Sequence, residues 1–157
     1  MCGIAGIINY KEGFRFKENL ISASSMMKNR GPDDEGLWND DFCGFAQRRL
    51  SILDLSQAGH QPMLSHNERY VCTFNGEIYN YKIIKNKISK LNLDIKWRGN
   101  SDTEVLLAGW EIYGKQLLDK IDGMFAFAIW DRKDKTLFLA RDRMGEKPLY
   151  YHYEDDK

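Results

Sequence analysis

Gly123-Met124-Phe125-Ala126-Phe127-Ala128-Ile129-Trp130 reads as a strand that is apolar on both faces. At a side-chain period of two, Phe125, Phe127 and Ile129 fall on one face; Met124, Ala126, Ala128 and Trp130 fall on the other. Half-solvated strands alternate apolar with polar residues, so this one is covered on both sides. With the polar turn 131–135 and the run from Thr136 to Arg141 it makes a hairpin. Two sheets stacked between two helical layers satisfy the pattern. So does a single sheet between helices, and periodicity alone leaves both open.

Working outward, Cys2 to Asn9 is a short apolar run with β-branched Ile4, Ile7 and Ile8, which predicts a buried strand. Gly3 and Gly6 within it allow another backbone or a ligand to come close. Phe16, Leu20, Ala23 or Ser24, and Met27 recur at helical spacing up to Arg30-Gly31-Pro32, a glycine C′ position followed by proline. A turn and short strand over 33–39, a strand over 42–52, an irregular loop over 54–63 and a strand over 70–74 ending at Asn75-Gly76 are expected next. From Tyr81, the residues Ile84, Ile88 and Leu91 mark one face of a helix, with Lys82, Lys85, Lys87 and Lys90 on its wet side. Ser101-Asp102-Thr103-Glu104 has the form of a capping box and opens a helix carrying Val105, Leu106, Trp110 and Ile112. A short helix over 116–121 and a third strand from Leu149 to Tyr153 complete the expectation.

The 157 residues fit one domain large enough to bury a core. Lys+Arg and Asp+Glu are equal at 23 each, which leaves no electrostatic footprint for nucleic acid or an anionic membrane. Cys2, Cys43 and Cys72 form no C-x-x-C pair, and His60, His66 and His152 show no ligand spacing. A disulfide framework and a metal site are therefore not expected, and reducing, cytoplasmic surroundings are. The apolar opening lacks the basic n-region of a signal peptide, and no apolar run approaches the roughly 18 residues of a membrane-spanning helix. Cys43 and Cys72 read as core thiols, and Tyr79, Tyr81 and Trp110 as packing residues.

Chemistry concentrates at the opening Met1-Cys2-Gly3-Ile4. With Met1 removed, Cys2 carries a nucleophile and a base on one residue, a thiol with a reference pKa of about 8.5 and an α-amine of about 7.7–8.0. An N-terminal amine can activate an adjacent nucleophile, and the thiolate is the reactive form. A frayed terminus with an incidental cysteine is the plain alternative. Arg49, at the end of an apolar strand, suits either a salt bridge to a nearby Asp or a bidentate clamp on a carboxylate. Asn75-Gly76 is a hairpin signal without a matching return strand. Its other reading is an oxyanion hole made by the Asn carboxamide and the Gly N–H. Glu77 and Asp102 are either a solvated acid and a helix-first-turn acid or the holders of an ammonium group. Arg30-Gly31-Pro32-Asp33 reads as a helix stop without direct chemistry. Arg141 to Leu149 reads as a charged loop, either a solvated hairpin end or a docking or gating surface.

Taken in order, these clusters resemble the N-terminal glutaminase domain of class II glutamine amidotransferases, which are N-terminal-nucleophile hydrolases. The marks are Met1-Cys2-Gly3-Ile4, Arg30-Gly31-Pro32-Asp33, Arg49-Leu50-Ser51-Ile52, Asn75 to Asn80, Ser101-Asp102-Thr103-Glu104, and Gly123 to Ala128. Pro32 and the ending Arg141 to Tyr150 are most similar to the glutamine-hydrolysing asparagine synthetases. The resemblance implies an α+β fold, a four-layer αββα sandwich of two mainly antiparallel sheets, incomplete at its C-terminus. It implies hydrolysis of the side-chain amide of L-glutamine by Cys2, with Asn75 and Gly76 as the oxyanion hole. Arg49 is expected on the α-carboxylate, Glu77 and Asp102 on the α-ammonium, and backbone near Leu50 and Ile52 along the same pocket.

No cofactor or metal is implied for this domain. ATP and Mg belong to a synthetase domain whose Ser-Gly-Gly-type loop is absent from the sequence. The expectation for domains is thus a glutaminase domain over 1–157, C-terminally truncated, with an unpaired sheet edge. The implied partners are glutamine and a synthetase domain or chain that receives ammonia for asparagine synthesis, with neither nucleic acid nor membrane, and with oligomeric state left open. The rival readings are a glutaminase module with a different ammonia acceptor, a glutamine-binding module without turnover, and a structural remnant.

Overall fold

A computed structural model describes residues 1–11, 13–91 and 93–154. The first sheet holds β1 (Gly3–Ile8), β2 (Asp34–Asn39) and β3 (Cys43–Arg49) in the order β1-β3-β2. The second holds β4 (Met63–Leu64), β5 (Tyr70–Ile78), β6 (Gly123–Asp131) and β7 (Thr136–Arg141) in the order β4-β5-β6-β7. Every strand pairing is antiparallel. Helix α1 (Phe16–Met26) covers the outer face of the first sheet, where Phe16 and Leu20 bury against Ala46. Helices α2 (Tyr81–Ser89) and α3 (Asp102–Tyr113) cover the outer face of the second through Ile84, Ile88, Val105 and Leu106.

The doubly apolar strand β6 shows why four layers form. Phe125, Phe127 and Ile129 belong to the core under α2 and α3, while Ala128 and Trp130 belong to the core between the sheets with Cys43, Phe45 and Val71. Each large side chain so buried contributes roughly 1.5–3 kcal/mol. Trp130 keeps its polar handle satisfied, its Nε1–H donating to Asp40 Oδ2 at 2.8 Å. A buried polar link also crosses between the sheets. Thr73 Oγ1 donates to Gln47 Oε1 at 2.5 Å, and Gln47 Nε2 donates to the Phe74 carbonyl at 3.2 Å. The two-sheet alternative is therefore the one realised, an αββα sandwich.

Several local expectations are corrected. Strand β3 ends at Arg49 rather than at residue 52, because β1 starts opposite Arg48 and β2 starts opposite Arg49. Strand β5 does not stop at Asn75-Gly76. It runs to Ile78, since β6 pairs with it as far as Gly123, and tertiary pairing overrides the turn preference of Asn-Gly. Gly76 is there for contact: a Cβ would stand 2.2 Å from the Met124 carbonyl oxygen. The expected helix over 116–121 is a 3₁₀ turn, Gly114–Asp119. Residues 149–153 form no strand.

Only half of the capping box forms. Ser101 Oγ accepts the Glu104 N–H at 3.2 Å, but the Glu104 carboxylate turns to the N–H groups of Arg98 and Gly99 at 2.7 and 3.0 Å. Tyr79 is 58% exposed rather than packed. Cys43 and Cys72 are fully buried, and burial raises both thiols far above the usual range.

Candidate functional site

Cys2 sits where β1 begins. The Leu50 N–H donates to its Sγ at 3.5 Å, and the thiol donates to the Leu50 carbonyl at 3.8 Å. The Arg30-Gly31-Pro32-Asp33 segment, to which the sequence assigned no chemistry, clamps both sides of this contact. Arg30 Nε donates to the Cys2 carbonyl at 3.1 Å. Asp33 donates its N–H to the Arg49 carbonyl at 3.0 Å and accepts the Ser51 N–H at 2.8 Å. A Cβ at Gly31 would stand 2.4 Å from the Arg48 carbonyl, so glycine lets the turn press onto β3.

Strand β5 presents donors on the edge turned away from β6. In an antiparallel ladder, N–H groups point alternately toward and away from a given neighbour. The Phe74 N–H donates to Gln61 Oε1 at 2.8 Å and the Ile78 N–H donates to Asp102 Oδ2 at 2.9 Å. Gly76 lies midway between them on the same edge. Its β6 partner, Phe125, turns the other way: its N–H donates to Asp142 Oδ2 and its carbonyl accepts the Asp142 N–H. The Gly76 N–H is thereby aimed into the cleft rather than spent on β6. The Asn75 side chain is buried, and its carboxamide has no hydrogen-bond partner among the described residues.

Arg49 is 8% exposed, and its guanidinium donates to the backbone carbonyls of Asp54 and of Ser56, the latter at 3.2 Å. No carboxylate stands within 4.0 Å of it among the described residues, so the salt-bridge alternative is not realised. Gly59 makes room for it: a Cβ there would lie 2.0 Å from Nη2. Asp54 is held below the usual carboxylate range, first by the Ser56 hydroxyl and then by the Asn100 N–H. Asp102 goes the other way. Burial pushes it up to about 6, against the pull of the Ile78 N–H and two other backbone donors, and the nearby Glu77 carboxylate adds to the rise.

Cys2, Arg49, Leu50, Ile52, Asn75, Gly76, Glu77 and Asp102 all line one cleft of about 140 Å³. The structure thus brings together every candidate catalytic or substrate-binding residue named from the sequence. Gln61, Met124 and Lys147 line it too and were not anticipated. Gln61 is a buried brace, its Nε2 donating to Thr103 Oγ1 at 3.1 Å. It stands in a stretch that reads only as irregular loop, without a motif to mark it. Chemically, the cleft joins a thiol, uncommitted donors, two cations (Arg49 and Lys147) and three acids (Asp54, Glu77 and Asp102). Those are the parts needed for acyl transfer on a zwitterionic substrate.

A family model described as a glutamine amidotransferase domain matches residues 1–157. Asparagine synthetase (glutamine-hydrolyzing) 1 of Bacillus subtilis (strain 168) is 39% identical over 160 residues, covering 100% of this chain and 25% of that protein. A second synthetase of the same name and strain, numbered 2, is 43% identical over 157 residues, covering 96% and 20%. Asparagine synthetase B (glutamine-hydrolyzing) of Escherichia coli (strain K12) is 34% identical over 156 residues, covering 99% and 27%. The chain spans about a quarter of the length of these relatives.

Proposed function

The chain belongs to the glutamine amidotransferase domain family, and from that premise we propose that it hydrolyses the side-chain amide of L-glutamine, with Cys2 as nucleophile once Met1 is removed. The observation that carries the reading is the Cys2 sulfur seated on Leu50, in one cleft with the uncommitted Asn75 carboxamide and the inward edge of Gly76.

The α-amine of Cys2 takes the thiol proton and the sulfur attacks the amide carbon. Negative charge moves to the amide oxygen, where Asn75 and Gly76 donate to it. The amine returns the proton to the nitrogen, the C–N bond breaks, and ammonia leaves a γ-glutamyl thioester. Water, deprotonated by the same amine, attacks the thioester; the C–S bond breaks, and glutamate and the free thiol return. Arg49 holds the α-carboxylate, with Glu77 and Asp102 on the α-ammonium. Leu50 and Ile52 supply the adjoining wall. Ammonia passes to a synthetase domain or chain that makes asparagine from aspartate and ATP; of this, the names of the relatives carry glutamine hydrolysis and asparagine synthesis. Three free thiols fit a reducing, cytoplasmic setting.

The test is a covalent intermediate. The processed chain is mixed with glutamine, quenched in acid and weighed intact. A γ-glutamyl adduct on wild type and none on Cys2→Ala is expected; an adduct of equal yield on both places the chemistry elsewhere.

A further inference from the structure

The loop from Arg141 to Leu149 leaves Arg141, Arg143, Met144, Glu146 and Pro148 exposed but buries Asp142 and Lys147. It folds around the buried carboxylate of Asp142. Asp142 Oδ2 accepts the N–H groups of Phe125 and Lys147 at 3.2 and 3.0 Å, and Oδ1 accepts the Glu146 N–H at 2.9 Å. Arg141 Nε donates to the Lys147 carbonyl at 2.7 Å. Lys147 is thus held at both its N–H and its carbonyl, on a loop tied to Phe125, the residue opposite Gly76.

Its side chain enters the cleft. Lys147 is 6% exposed, and its ammonium makes one hydrogen bond among the described residues, to Met1 Sδ at 3.2 Å. No carboxylate stands within 4.0 Å of it among those residues. An ammonium carries three donors, and a thioether sulfur is a weak acceptor. A buried cation so poorly matched is costly unless an anion comes to it. Removal of Met1 takes away even that acceptor, in the cleft that Cys2 also lines.

We propose that Lys147 is a positioning residue for the nucleophile: its ammonium stabilises the negative charge that the Cys2 sulfur acquires and passes to the amide oxygen. This rests on the reading of Cys2 as the processed nucleophile.

The experiment uses a chain that begins at Cys2, made by cleaving an N-terminal fusion and verified by intact mass. The rate of Cys2 alkylation by iodoacetamide is followed from pH 5.5 to 9 in wild type, Lys147→Met and Lys147→Arg. Methionine keeps the aliphatic stem and removes the charge; arginine keeps the charge. Lys147→Met is expected to react about tenfold more slowly near pH 6.5, with the rise of its profile displaced to higher pH. Lys147→Arg is expected to stay within about threefold of wild type by the same charge argument. Superimposed profiles for wild type and Lys147→Met would overturn the proposal, as would Lys147→Arg as slow as the methionine variant. Both outcomes would leave pairing with Glu77 or a packing role. If the methionine variant does not fold, the wild type still decides. In the chain labelled with ¹⁵N-lysine, the Lys147 Nζ resonance moves when Cys2 is alkylated; an unmoved resonance contradicts the proposal. Alkylation needs no turnover, so a chain that fails to hydrolyse glutamine sinks the glutaminase reading without deciding this one.

Discussion

The carboxylate of Asp102 accepts the Ile78 N–H at 2.9 Å, which fastens the first turn of α3 to the end of β5 at the wall of the cleft. The bond comes with a burial cost, since Asp102 is 5% exposed and its pKa stands at about 6 against an ordinary 3.8.

The sign of the resulting pH dependence follows. Between the unfolded and folded values the native state holds a proton that the unfolded state has lost, so this group's contribution falls as pH rises from about 4 to about 6. Above that window the ionised carboxylate costs the fold about 3 kcal/mol. Asp102→Asn keeps an oxygen for the Ile78 N–H and has no charge to bury. Urea unfolding is therefore expected to show the variant gaining on wild type between pH 4 and pH 7. A difference that stays flat across that range contradicts the account. In the proposed glutamine hydrolysis the same variant is expected to raise KM by about 10–100-fold, the worth of one charge-assisted bond to the ammonium.

Asn75→Ala removes a donor that no other described group engages. The expected result is a fall in kcat of about 10²–10³ with little change in KM. The melting temperature is expected to stay within a few degrees, because no intramolecular hydrogen bond is lost. A variant with wild-type kcat would move the oxyanion site away from β5. Gly76→Ala is expected to unfold the protein more readily, since its Cβ meets the Met124 carbonyl.

Arg49→Lys and Gly59→Ala are predicted to fail in the same direction. Lysine cannot span the Asp54 and Ser56 carbonyls and grip a carboxylate together, and a Cβ at position 59 displaces the guanidinium. Each is expected to raise KM for glutamine by about tenfold or more while kcat falls less. Unchanged KM in both variants would exclude Arg49 from the substrate carboxylate.

Native thiol reactivity is expected to single out Cys2. Cys43 and Cys72 are sealed in the two cores with their thiols pushed up by burial, and the neighbouring carboxylates of Asp40 and Asp102 add to it. Iodoacetamide at pH 8 should label one site in the folded chain and three in urea, read by peptide mass mapping. Early labelling of Cys43 or Cys72 would show that a core opens.

Cys2, Arg49, Asn75 and Gly76 were legible because each lies in a short motif whose chemistry is local: a thiol at position two, an arginine ending a strand, an Asn-Gly with no return strand. Strand β6 likewise announced its two coverings through one run of side chains. What stayed hidden depends on partners far along the chain. Asn75-Gly76 looks like a strand end until β6 pairs past it, and Glu104 looks like half of a capping box until Arg98 and Gly99 take its carboxylate. Lys147 looks like a solvated charge until Asp142 curls its loop onto Phe125 and turns the ammonium toward Met1. Arg49 posed a choice between carboxylates, and backbone carbonyls, which no side-chain pattern marks, are what hold it.

The central claim is that Cys2, with Met1 gone, hydrolyses the glutamine side-chain amide. The direct measurement is glutamate and ammonia release from glutamine by wild type and Cys2→Ala, each with its N-terminus confirmed by intact mass. The account predicts equimolar glutamate and ammonia from the processed wild type and neither from the variant; equal release by the two would contradict it.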